Sequence, residues 1–119
     1  MNLLSTILVL LVSLEFLFIM YLETIATTSR QTSKVFGITI EKLKDKQVSL
    51  LLKNLGIYNG LVGLLLIYAV LFSSHPKELC VLVLTYIIIV AIYGGITSSI
   101  NIFFKQATLP ILALLSLLI

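Results

Sequence analysis

The chain has 119 residues, 60% of them hydrophobic and 11% charged, with a net charge of +3. A soluble domain this small has too little interior to hide so much apolar surface, and ordinary globular domains carry about twice that share of charge, so lipid is the solvent that fits. One cysteine, Cys80, and one histidine, His75, exclude an internal disulfide and the paired-cysteine zinc and redox patterns. No metal site and no cofactor are expected.

In chain order, four apolar segments predict an all-α protein: a four-helix transmembrane bundle forming a single integral membrane domain over 1–119. The first segment, 3–23, has the length of a spanning helix. It does not read as a cleaved leader, because it lacks a basic start, carries glutamates and runs long. The connection 24–49 opens polar, with "TIATTSRQTSK", and then turns periodic, Ile40, Leu43, Val48 and Leu51 falling near one helical face. This predicts an amphipathic helical segment between the first two spans. It starts near Thr39, with Thr39 as its cap and Glu41 at the positive end of the helix dipole.

The second span is expected over 50–72, the third over 79–104 and the fourth over 106–119. The loops at "SSHPKE" and "FKQ" are tight, which sets consecutive helices side by side and antiparallel. The fourth segment is short for a full crossing and carries Pro110 near its start, where proline is tolerated. Arg30, Lys34, Lys42, Lys44, Lys46 and Lys53 lie between the first and second spans, and Lys105 joins them on one side, against Lys77 alone on the other. The positive-inside rule then predicts a cell-membrane protein with both termini outside and the long basic loop cytoplasmic, beside anionic lipid headgroups. The basic cluster has no aromatic interleaving, so nucleic acid is not an expected partner.

The polar residues gather at similar depths. With 1.5 Å of rise per residue, Glu15 lies about 12 Å in from the cytoplasmic end of its helix and Tyr58 about 12 Å in on the second, with Asn59 one residue deeper. On the third helix Thr97 is expected about 10 Å in and Tyr93 about 16 Å in. Glu15, Tyr58, Asn59, Tyr93 and Thr97 therefore make up a predicted ligand or proton site in the cytoplasmic half of the bundle. Glu23, Asn54, Asn101 and Gln106 are secondary polar positions nearer the surface. Glu15 and Glu23 are about 80° apart around a helix and can face one interior. Unsatisfied polar groups cost several kcal/mol each in lipid, so these side chains are expected to point inward and meet. Glu23 is expected to reach water or a basic partner such as Lys34 or Lys53. Glu15, among Leu14, Phe16, Phe18 and Ile19, has only neutral candidates. Gly56-x-x-x-Gly60, Gly63, and the small residues Gly94, Gly95, Ser98 and Ser99 suit close helix packing.

The stretches "LEFLFIMYLE", "KVFG", "NLGIYNG", "IYGGIT" and "QATLPILALL" occur in this order and spacing. In this the chain resembles a family of small bacterial membrane proteins catalogued as domain of unknown function 1304. The resemblance spans nearly the whole chain. It carries over to Glu15, Glu23, Lys34, Phe36, Gly37, Asn54, Gly56, Tyr58, Asn59, Gly60, Tyr93, Gly94, Thr97, Gln106 and Pro110. Where family members often have His after the first Glu and Gln after the first Asn of the second-helix motif, this chain has Phe16 and Leu55, so no role resting on a His–Glu pair carries over. The resemblance implies a four-helix membrane protein and supplies no activity.

Intramembrane carboxylates are rare and usually mark ion paths, proton relays or ligand counter-ions. The leading expectation is binding or transport of a small lipophilic molecule at the carboxylate and tyrosine site, with Glu15 exchanging a proton for the ligand. Two alternatives stay open. One is a membrane-embedded enzyme in which Glu15 or Glu23 acts as acid or base on a lipid or quinone. The other is a structural accessory subunit whose polar cluster fixes helix packing. The expected partners are membrane lipids and the lipophilic ligand, with a homo-oligomer as a further option.

Overall fold

Six α-helices and one π-helical turn make up the secondary structure, and there is no strand. The structure, a computed structural model, describes residues 1–119. Helix α1 spans Leu3–Met20 and runs directly into the π-helical turn Tyr21–Ile25, where the Ala26 N–H donates to the Tyr21 carbonyl at 2.8 Å. Then come α2 (Arg30–Phe36), α3 (Ile40–Leu43), α4 (Lys46–Leu71), α5 (Pro76–Thr97) and α6 (Ile100–Leu118). Four stretches are long and apolar enough to cross a membrane: Leu3–Ile25, Lys46–Leu71, Pro76–Thr97 and Ile100–Leu118. Large apolar side chains stand open along them, Phe72 and Ile96 among the most exposed. Hydrocarbon solvates such surface and water does not.

Local chemistry sets the helix ends. α4 starts at Lys46, four residues before the expected 50, because Asp45 Oδ2 accepts from the backbone N–H groups of Gln47 and Val48, both at 3.1 Å. The amphipathic helix expected from Thr39 is therefore a single turn, α3. Thr39 caps it by accepting from the Lys42 N–H at 3.3 Å, and Asp45 then caps the next helix. α2 occupies a stretch that reads only as polar. Ser29 caps it by accepting from the Thr32 N–H at 3.1 Å. Gly37, left-handed at φ 67°, ends it, and the N–H groups of Gly37 and Ile38 both donate to the Ser33 carbonyl.

The break between the last two helices falls at Ser98 and Ser99, not at Phe104–Gln106. Thr97, Ser98 and Ser99 are three hydroxyl residues in succession after two glycines, and such side chains compete for backbone hydrogen bonds and favour helix ends. Ser99 is extended, at φ −150° and ψ 151°. α6 consequently has 19 residues, the length of a span rather than a stub, and Pro110 sits in its interior.

The chain forms two compact units, residues 14–63 and residues 1–13 with 64–119. In the second of these α5 packs along α6. Cys80, Val83, Leu84, Ile87 and Ala91 form the buried stripe of α5 at helical spacing, and Ala107, Pro110, Ala113 and Leu117 that of α6. Ser5 Oγ donates to Ser116 Oγ at 2.9 Å. In the 14–63 unit the end of α1 meets α4 at two glycines. A Cβ on Gly56 would run into Thr24 Oγ1 and come within 3.0 Å of Glu23 Cβ, and one on Gly60 would run into Met20 Sδ. Only glycine lets the backbones come this near.

Candidate functional site

The sequence of α4 puts Gly56, Asn59, Gly60 and Gly63 on one helical face, and this face receives the carboxylate-bearing end of α1. Glu23 lies in the π-helical turn and is 1% exposed. Asn59 Nδ2 donates to Glu23 Oε1 at 2.7 Å. The neighbouring Thr24 Oγ1 donates to the Lys53 carbonyl at 3.0 Å, so two adjacent residues of the turn bond to α4. The expectation that Glu23 meets water or a lysine is thereby corrected. Its carboxyl is turned into the protein towards the glycine face of α4, whereas Lys34 and Lys53 are exposed.

Glu15, two turns earlier, is half-buried, and its Oε1 is shielded from solvent with no hydrogen-bond partner. In the interior of an apolar helix an acceptor in that state costs free energy until a donor arrives. The carboxyl oxygens of the 14–63 unit thus differ: Glu23 has an amide donor on Oε1, and Oε1 of Glu15 has none.

Most of the other expected site residues are exposed. Tyr58 is 71% exposed, since it is two residues from both Gly56 and Gly60 and so points about 200° away from the glycine face. Tyr93 is 69% exposed for the same reason, two residues beyond the buried Ala91. Because α5 ends at Thr97, that residue stands at the helix end and Tyr93 about 6 Å from it, shallower than a helix running to 104 would place them. Thr97 is exposed, and its Oγ1 donates to the Tyr93 carbonyl at 2.9 Å. Asn54 and Asn101 are exposed and Gln106 is half-buried. Tyr93, Thr97, Asn101 and Gln106 belong to one unit, and Glu15, Glu23, Asn54, Tyr58 and Asn59 to the other. No three His, Cys, Asp or Glu side chains gather closely enough to hold a metal ion.

Three hydroxyls that composition alone did not single out complete the surroundings of Glu23. Besides Thr24, Thr27 Oγ1 donates to the Glu23 carbonyl at 2.7 Å, and Thr32 Oγ1 lies 2.9 Å from the Leu22 carbonyl and 2.7 Å from that of Ala26. The end of a helix leaves carbonyls without intrahelical partners, and these threonines supply donors for them. The run of Thr and Ser in "TIATTSRQT" was the available signal.

The family model described as a protein of unknown function, DUF1304, matches residues 10–118. An uncharacterized protein, YpaA, from Lactococcus lactis subsp. lactis (strain IL1403) is 55% identical over 116 residues, which is 98% of each chain. No solved structure matches. With residues 10–118 matched, the chain belongs to the DUF1304 family.

Proposed function

We propose that this chain is a membrane-resident binding protein for a small lipophilic molecule that carries a hydrogen-bond donor, and that Glu15 receives that donor. The supporting observation is the shielded, unpartnered Oε1 of Glu15. An ammonium or amide group would satisfy it, and the gain would be large where water is scarce. Leu14 and Phe18, exposed beside Glu15 on the same helix, offer apolar contact for the rest of such a molecule and an approach from within the bilayer. If the ligand is cationic, its arrival displaces the carboxyl proton, which is the elementary step of proton-coupled exchange. In this reading the protein lies in the cell membrane with the Ala26–Asp45 segment cytoplasmic and both termini outside. The support is the basic bias, although Lys105 now lies inside α6 rather than in a loop.

Proton release on adding decylammonium to the full chain in weakly buffered detergent tests the proposal. Release from the wild type that Glu15→Gln abolishes and Glu23→Gln retains is the expected result. No release from the wild type, or equal release from Glu15→Gln, removes Glu15 as the receptor. A purely structural role is favoured for Glu23 alone, by its bond to Asn59.

A further inference from the structure

The segment between α1 and α4 is held in place rather than slack. Thr27 and Thr32 tie it to the last carbonyls of the first helix. Ser33 Oγ donates to the Ile38 carbonyl at 2.6 Å, and Thr32 and Leu43 are fully buried anchors for α2 and α3. The cations sit away from those anchors. Arg30 and Lys34 share one face of α2, each two residues from Thr32 and so on the opposite side. Lys42 and Lys44 flank Leu43, and Lys46 opens α4. Lys53, two turns along α4, can carry its amine back towards that end on its flexible stem. All six are exposed. Only two acids, Glu41 and Asp45, share the segment, and Asp45 is occupied in capping α4.

We propose that α2, α3 and the first two turns of α4 form a docking platform for the headgroups of anionic phospholipids. The sign and number of the charges carry the assignment. Each Lys or Arg held near an anionic leaflet strengthens attraction about five-fold. The platform also joins two helices long and apolar enough for the bilayer, so the lipid phosphates are the nearest polyanion to it.

The test uses the purified full chain in neutral detergent, with thermal unfolding followed after adding phosphatidylglycerol or phosphatidylcholine. Phosphatidylglycerol should raise Tm above the phosphatidylcholine value, and the difference should vanish at about 0.5 M NaCl, where screening leaves only a few ångströms of reach. The R30Q/K34Q/K42Q/K44Q variant should lose the difference, whereas K77Q keeps it. Lipid retention by native mass spectrometry gives a second readout that does not depend on the fourfold variant folding. The wild type should keep phosphatidylglycerol over phosphatidylcholine at least five-fold, and K34Q, K42Q or K44Q singly should reduce that preference. Equal effects of the two lipids, a difference that survives high salt, or loss in K77Q would overturn the proposal. Stabilisation by a single-stranded oligonucleotide equal to that by phosphatidylglycerol would replace the lipid with a nucleic acid.

Discussion

Asn59 Nδ2 lies 2.7 Å from Glu23 Oε1, joining α4 to the π-helical turn across 36 positions of the chain. The bond sits between Gly56 and Gly60, the two glycines that bring the backbones together, so close packing and polar pairing occupy one face of α4. Glycine removes the side-chain bulk, and the amide then reaches a carboxyl that would otherwise be stranded.

Asn59→Ala should destabilise the protein by about 1–2 kcal/mol, more than the roughly 0.6 kcal/mol average for interhelical hydrogen bonds in membranes. The excess comes from leaving the Glu23 carboxyl buried without its donor. Replacing both partners, as Glu23→Leu with Asn59→Leu, should recover most of the loss. Unfolding in mixed micelles with rising SDS measures all three variants, and a double variant no better than the single one would contradict this account.

Gly56→Ala and Gly94→Ala should part company. The new Cβ at 56 runs into Thr24 Oγ1 and meets the Thr24 nitrogen at 3.1 Å, so the helices must move apart and the Thr24 bond to the Lys53 carbonyl must break. Overpacking of this kind costs about 1–3 kcal/mol. At 94 the only neighbour is Ile102 Cγ2 at 3.5 Å, an ordinary contact, and alanine should be neutral or stabilising by up to about 1 kcal/mol. Thermal unfolding of the two variants in one detergent makes the comparison.

Glu15→Leu should raise stability while abolishing proton release by decylammonium. The substitution removes a shielded acceptor that has no donor, a gain of about 1–3 kcal/mol. Stability rising as binding disappears is what a site held ready for a ligand predicts. A fall in stability would mean that Glu15 has a partner within the folded protein.

The class of fold and the four apolar segments were legible because hydrocarbon imposes a length and a composition on anything that spans it. The break at Ser98–Ser99 was not, since hydropathy runs on through Ile100, Ile102 and Phe103 and only the hydroxyl run betrays the turn. The site was legible in part. Glu15, Glu23 and Asn59 stood out as polar groups in apolar surroundings, but depth along a helix does not fix direction around it. Tyr58 and Tyr93 point away from the buried faces of their helices, and Tyr93 is also nearer its helix end than hydropathy suggests. The partner of Asn59 is Glu23 because the glycines of α4 meet the end of α1, a pairing that depends on register between helices and is not written in either helix alone.

Cysteines introduced at Asn2 and Ser33 should label in opposite fashion in intact cells. An impermeant external maleimide should modify Asn2→Cys and leave Ser33→Cys untouched until the membrane is opened, because the cations that surround Ser33 favour the cytoplasmic face. Stronger external labelling at 33 than at 2 would invert the topology.

The π-helical turn makes residue count matter as much as residue type at the end of the first helix. Its hydrogen bond from Ala26 to Tyr21 closes a loop one residue larger than an α-helical turn does. Removing any one residue from Tyr21–Ile25 would let an ordinary helical turn form with the chain on either side nearly in phase, and would shift residues of the turn itself by about 100° around the axis. The carbonyls that Thr27 and Thr32 serve would then move, and Glu23 or its neighbours would leave the glycine face of α4. Length over these five positions is therefore expected to be held constant while apolar side chains such as Ile25 exchange freely. A single-codon deletion there should do more harm than most substitutions in the same stretch.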